Sequence, residues 1–291
     1  YEVDLAFLSR DVTGSSGKTD LAPTLLRYYE ILRGSPKLQW IQAHAAGSDR
    51  PIFAELHKRG VIVTTGSGTA SIPVAQLALT GLLALSRRLP EMINAQRRHS
   101  WEPFLPPRNP IDISEQSVVI VGLGPIGKEI ARLCKTLGMS VYGIARTSRE
   151  ESCFDGVFSF EEANSILQKA DFVVMACPLT EKTRGFLNYE RLRILPKGAR
   201  IINVARGEVV LEDDLIQAIN EGFVEGAFLD VFQKEPLDPK SALWDLPHVI
   251  VSPHAGAHTS SHYLAVGKLF VENLNRWYSN KPLLNLANFD G

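Results

Sequence analysis

The segment VVIVGLGPIGKEIARLCKTLGM, residues 118–139, limits what this chain can fold into more than any other. An apolar strand runs into Gly122-Leu123-Gly124-Pro125-Ile126-Gly127 and then directly into a helical pattern. A bare G-x-G-x-x-G is a weak signal, but between a strand and a helix each glycine has a task. Gly122 permits the tight turn, Gly124 lets backbone approach a pyrophosphate, and Gly127 lets the helix pack closely on the strand. The helix start offers unpaired N–H groups and the positive end of its dipole to phosphate. Gly122, Gly124, Pro125, Ile126 and Gly127 are therefore the expected seat of a dinucleotide; the competing reading is an ordinary tight turn.

The strand that follows the helix sharpens this. In a dinucleotide unit it usually ends in an acid that holds the adenosine ribose hydroxyls. Here SVYGIARTS runs out into Ala145, Arg146 and Thr147. A guanidinium at that place can grip a 2′-phosphate bidentately, and Ala145 removes the carboxylate that would repel it. Thr147 adds a hydroxyl donor. These residues favour NADP(H) over NAD(H); the plainer alternative is a solvated Arg146 beside NAD.

Around this unit strands and helices alternate along the chain, which predicts parallel sheets covered on both faces. A first series runs through VDLAFLS, LQWIQAH and VIVTT, with a helix expected over residues 74–89. A Pro-rich connection, WEPFLPPRNP, follows. The second series holds SVVIVG, SVYGIA, GVFSF, DFVVMAC, RIINVA, VEGAFLD and HVIVSP, and a last helix is expected over residues 260–278. With 291 residues, two domains are expected.

Bulk properties exclude several classes. Lys plus Arg number 31 and Asp plus Glu 32, a net charge of -1, which suggests neither nucleic acid nor an anionic membrane as partner. The longest apolar helical stretch, PVAQLALTGLLALS, is shorter than the roughly 20 residues of a membrane span. Three cysteines, Cys134, Cys153 and Cys177, share no C-x-x-C spacing and leave one over, so a reducing, cytoplasmic setting is expected. The histidines lack metal-ligand spacing with acids, and no metal is expected.

Three polar residues stand just past strand patterns: Arg206 in IINVARG, Glu235 in LDVFQKEP and His254 in VSPHAG. In open α/β sheets ligands bind at the carboxyl ends of strands, so these side chains can converge on one crevice. Their chemistry suits reduction of a 2-keto acid. An arginine binds the carboxylate and polarises the carbonyl, a histidine delivers the proton, and a carboxylate orients the ring. Each taken alone is as easily a surface salt bridge or a cap.

The blocks VGLGPIGKEIARLCKTLGM, ADFVVMACPLTEKTRGFLN, LPKGARIINVARGEVVLEDDLIQAI, GAFLDVFQKEPL and LWDLPHVIVSPHAG, in this order, resemble the D-isomer-specific 2-hydroxyacid dehydrogenase family, and the likeness covers nearly the whole chain. The resemblance implies a Rossmann-type doubly wound parallel sheet (residues 91–258) inserted into a flavodoxin-like substrate domain (residues 1–90 and 259–291), with the active site between them. It implies Arg206, Glu235 and His254 as the catalytic set. Backbone N–H groups at Ala46 and Gly47 would join Arg206 and His254 in binding substrate, and Asp230 would hold the nicotinamide carboxamide. Cys177, Pro178 and Thr183 would line the cofactor's ribose and phosphate side, with Val74, Val204 and Gly256 further cofactor contacts. Members commonly dimerise, so a homodimer using the helix from Val74 and the HSWEPF arm is expected. They also usually begin one βα unit earlier, which suggests a trimmed N-terminus.

Two departures stand out. Gln76 replaces a frequent Glu, and Ala145-Arg146 replaces the acid of NAD-dependent members, as in NADPH-using glyoxylate and hydroxypyruvate reductases. Formate dehydrogenases of the superfamily pair their His with Gln, so Glu235 speaks against formate. The expected activity is NADPH-dependent reduction of a small 2-keto acid such as glyoxylate, hydroxypyruvate or a pyruvate-like acid to a D-2-hydroxy acid. The alternative from another class is a nucleotide-sensing corepressor on the same fold, which keeps the same three residues.

Overall fold

The structure, a computed structural model, describes residues 3–14 and 21–289. Its first half contains β1 (Leu5–Leu8), α1 (Arg10–Thr13), α2 (Pro23–Arg33), β2 (Trp40–Ala43), α3 (Pro51–Lys58), β3 (Ile62–Thr64), α4 (Ser71–Ser86) and α5 (Leu89–Arg97). Then come β4 (Ser117–Val121), α6 (Pro125–Thr136), β5 (Ser140–Ala145), β6 (Gly156–Ser159), α7 (Ala163–Leu167), β7 (Phe172–Met175) and α8 (Tyr189–Arg193). The remainder is β8 (Ala199–Asn203), α9 (Glu212–Asn220), β9 (Val224–Leu229), β10 (Val249–Val251) and α10 (His262–Tyr278). Two compact units result: Tyr1–Ser71 with Ala257–Gly291, and Ile72–Gly256.

In the first unit β1, β2 and β3 pair in parallel in that order, with Leu8 opposite Ala43 and Gln42 opposite Thr64. Ile52, Phe53 and Leu56, spaced to share one face of α3, are buried with Leu8, Leu25 and Ile41. α10 belongs to this unit: its Phe270 stacks on Phe7 at 4.7 Å, and Trp277 stacks on Trp40 at 5.8 Å. Beneath the rings lies a satisfied polar network. Gln42 Oε1 accepts from Thr64 Oγ1 (2.8 Å) and Asn273 Nδ2 (2.9 Å), while Asn273 Oδ1 accepts from the Leu284 N–H (2.8 Å). Fully paired, such a network fixes the register of the C-terminal segment against the sheet.

The second unit holds a seven-stranded parallel sheet of order β10-β9-β8-β7-β4-β5-β6. All residues of β7 are buried, as are most of β4, β8 and β9, which is why these strands read as unbroken apolar runs. The chain leaves β4 toward β5 on one side and returns to β7 on the other, so the topological switch point lies at the carboxyl ends of β4 and β7.

Two boundaries differ from expectation. The helix expected over residues 74–89 starts at Ser71 and stops at Ser86, and α5 follows it. Pro90 sits in the first turn of α5. The break falls at Arg88 in the left-handed region (φ 55), where its Nε donates to Glu91 Oε1 (2.6 Å) and its guanidinium lies over Phe104. Second, the units divide after Ser71 and not near residue 90. A Cβ on Gly81 would stand 2.3 Å from the Phe228 ring, so α4 lies directly against the sheet of the second unit.

Candidate active site

The Gly-rich turn lies at the switch point. Gly122 has φ +101, and a Cβ there would stand 2.6 Å from Cys177 Cα; on Gly127 it would stand 1.9 Å from Gly122 O. Both positions admit only glycine, because a backbone neighbour cannot give way. At Gly124, the residue before α6, a Cβ would meet nothing within 4 Å. Gly124 and Pro125 are exposed and Ile126 half-buried, leaving open space over the first turn of a twelve-residue helix. That shape and its free N–H groups fit a dinucleotide pyrophosphate.

β5 ends at the buried Ala145; Arg146 and Thr147 are exposed. Arg146 pairs with no described residue, while the nearby Lys128 and Arg149 both face Glu151, at 2.8 and 4.0 Å. Across the switch point Cys177 is buried, and burial pushes its thiol up to about 12, so it remains an inert neutral group. Pro178 is exposed. Thr183 is buried, and its hydroxyl closes its own loop by donating to Pro178 O (2.7 Å) and accepting from the Thr180 N–H (2.7 Å). Val204 is buried past β8, its N–H on Met175 O at 3.2 Å. Val74 approaches a Cβ position on Gly256 to 3.2 Å.

The three side chains expected to carry the chemistry also follow strand ends of this sheet. Arg206 lies three residues past the end of β8, with its Nη1 donating to Ala205 O (2.7 Å). Glu235 lies beyond β9; its Oε1 accepts from the Phe232 N–H (3.1 Å) and its Oε2 lies 2.8 Å from His254 Nδ1. A carboxylate only accepts, so Nδ1 carries a proton there and Nε2 is left facing outward. His254 keeps half its side chain exposed, and its φ of 54 is unusual for a residue with a Cβ. Gly207 explains how the loops fit together: a Cβ there would stand 1.8 Å from the backbone carbon of Phe232, so the Arg206 turn sits directly on the loop that carries Glu235.

Asp230 enters the sequence reading only through the family resemblance, and Asn203 and Glu212 escape it. Asp230 is 2% exposed, and its carboxylate accepts from Ser252 Oγ (2.6 Å) and from the N–H groups of Ala255 (2.7 Å) and Gly256 (3.0 Å). Asn203, 1% exposed, donates to Arg206 O (3.0 Å) and accepts from the Ala205 N–H (3.1 Å). Glu212 accepts from the Gln233 N–H, and burial raises its carboxyl above the usual range. The only outward signs of these roles are polar residues closing apolar runs, as in IIN and FLD.

Ala46 and Gly47 belong to the first unit, in the loop after β2, with Ala46 exposed and Gly47 half-buried. Beside them His44 donates from Nδ1 to Leu8 O (3.2 Å), and burial lowers its imidazole to about 4. Among the described residues no group of three or more His, Cys, Asp and Glu side chains could hold a metal ion. No described helix is long and apolar enough to cross a membrane.

Comparison with known proteins agrees with this geometry. Residues 79–256 match the family described as "D-isomer specific 2-hydroxyacid dehydrogenase, NAD binding domain". A glyoxylate reductase of Thermococcus kodakarensis is 33% identical over 250 residues, covering 84% of this chain and 75% of that protein. A glyoxylate/hydroxypyruvate reductase of Arabidopsis thaliana is 30% identical over 261 residues, covering 90% and 80%. Among solved structures, the NADPH-dependent glyoxylate/hydroxypyruvate reductase of Sinorhizobium meliloti, in complex with NADP and sulfate, superposes with a TM-score of 0.79 at 26% identity, covering 98% of this chain and 85% of that one. The chain belongs to the D-isomer-specific 2-hydroxyacid dehydrogenase family, an oxidoreductase with a nicotinamide-dinucleotide-binding domain.

Proposed function

We propose that the protein reduces small 2-keto acids, of the glyoxylate and hydroxypyruvate type, to D-2-hydroxy acids with NADPH. The observation that carries this reading is the His254–Glu235 contact at 2.8 Å, on loops packed against the turn of Arg206. The reduced nicotinamide, when bound, supplies a hydride. Arg206 binds the substrate carboxylate and polarises the adjoining carbonyl, which stabilises charge developing on its oxygen. His254, protonated at both nitrogens, gives its Nε2 proton to that oxygen as the carbon is reduced. Glu235 holds Nδ1–H throughout and stabilises the imidazolium before transfer. The Ala46 and Gly47 N–H groups are assigned to the substrate carboxylate on the family likeness.

Preference for NADPH rests on Arg146, exposed beside Ala145 and without a partner among the described residues. The Sinorhizobium relative, NADPH-dependent and in complex with NADP, lends support. The binding-protein alternative is not favoured, since the similar proteins are reductases by name. We further propose a cytoplasmic homodimer. Its three cysteines are free, and Trp101 and Leu105 of the arm expose 95% and 64% of their surface.

The test is NADPH oxidation against a panel of glyoxylate, hydroxypyruvate, pyruvate and longer 2-keto acids, repeated with NADH. Turnover with the short acids, faster at low NADPH than at equal NADH, is expected. Absence of turnover above background with every acid would remove the reading.

A further inference from the structure

Two buried polar side chains close the loops on which the proposed reaction depends, and both stand at ends of neighbouring strands. Asn203 is the last residue of β8, and its side-chain amide spans the turn to Arg206: Nδ2 donates to Arg206 O while Oδ1 accepts from the Ala205 N–H. Asp230 directly follows β9, and its two oxygens gather Ser252 Oγ and the N–H groups of Ala255 and Gly256. Those groups flank His254 on both sides and hold it in its left-handed conformation. The two brackets are joined, because the Asp230 N–H donates to Asn203 O at 3.0 Å. The turn shaped by Asn203 seats Gly207 on the Phe232 backbone, whose N–H holds Glu235.

We infer that Asn203 and Asp230 are positioning residues: Asn203 sets the guanidinium that receives the substrate carboxylate, and Asp230 sets the imidazole that delivers the proton. The inference rests on the reductase reading above and deepens it. Asn203 needs both a donor and an acceptor at its tip, which no hydrophobe or acid supplies. Asp230 needs acceptors on both oxygens. An asparagine there would turn its NH₂ toward either the Gly256 N–H or the Ala255 N–H and Ser252 hydroxyl, donor against donor. Three donors from the Ser252–Gly256 stretch converge on the carboxylate, so it holds the His254 loop whether or not the cofactor is bound.

The isosteric pair Asn203→Asp and Asp230→Asn tests this, with Tm recorded as a check on folding. Asn203→Asp raises KM for glyoxylate and the inhibition constant of oxamate at least about tenfold, because Arg206 shifts. Its NADPH Kd, read by fluorescence titration, stays within about twofold of wild type. Asp230→Asn lowers kcat at least about tenfold. Wild-type turnover comes first: its absence would overturn the reductase reading alone. Amide hydrogen exchange then tests the brackets without substrate, with faster exchange expected at Ala205 in the first variant and at Ala255 and Gly256 in the second. Unchanged KM and unchanged exchange at Ala205 would overturn the role of Asn203. Preserved kcat and preserved exchange at Ala255 and Gly256 in Asp230→Asn would overturn that of Asp230.

Discussion

Gly207→Ala should damage stability and turnover together, and the structure sets the size. The added Cβ would stand 1.8 Å from the backbone carbon of Phe232, 2.1 Å from its oxygen and 2.2 Å from the nitrogen of Gln233. Ordinary contact begins near 3.4 Å, so one strand-end loop must retreat by about 1.6 Å. No flexible side-chain tip is available to yield. Over-packing of this kind costs about 1–3 kcal/mol, and purely backbone partners put it near the upper end, about 3 kcal/mol. For a unit of this size that corresponds to a Tm lowered by about 6–12 °C. Whichever loop moves, Arg206 and Glu235 lose their relation, and a misplacement of that size costs about 100-fold in kcat/KM. Thermal denaturation and steady-state rates with glyoxylate measure the two effects. Gly124→Ala is the contrast: its Cβ enters open space over the helix start, so Tm should hold while KM for NADPH rises. A Gly207→Ala enzyme with Tm within about 1 °C and kcat/KM within about twofold of wild type would refute the packing argument.

Two other perturbations follow. Arg146→Ala should raise KM for NADPH by about 10–100-fold, the worth of charged hydrogen bonds to a phosphate, and leave NADH nearly unchanged; unaltered NADPH kinetics would remove the 2′-phosphate assignment. Stability should fall with acid between pH 6.5 and 4, because the unfolded chain protonates His44 near pH 6.5 whereas the folded protein, with His44 lowered to about 4 by burial, does not. The contribution is complete above pH 6.5 and lost below 4; Tm against pH for wild type and His44→Asn should show a shallower acid slope in the variant, and equal slopes would count against it.

How much of this was legible varies with the physics involved. The switch-point turn could be read because its glycines answer to local geometry: Gly122 needs a positive φ, and Gly127 has Gly122 O where a Cβ would go. The strands could be read because burial on both faces forces apolar runs. The break at Arg88 could not, since an arginine with φ 55 carries no turn residue to mark it and Pro90 serves as a start. The unit boundary also escaped, as it rests on Gly81 meeting Phe228, 147 positions later in a chain whose spacing says nothing of that contact. At the site, Arg206, Glu235 and His254 announce themselves as polar residues after strands. Asp230 is reached only through the family resemblance, and Asn203 not at all, because what distinguishes them is the partner each tip reaches.

The central claim is that His254, held by Glu235, delivers the proton in reduction of a 2-keto acid. Single-turnover oxidation of bound NADPH by glyoxylate, compared between wild type and His254→Gln, tests it most directly. The account predicts a rate lowered by about 10²–10⁴-fold with NADPH Kd unchanged, the usual worth of a positioned general acid. A His254→Gln enzyme that reduces glyoxylate within about threefold of the wild-type rate would contradict it.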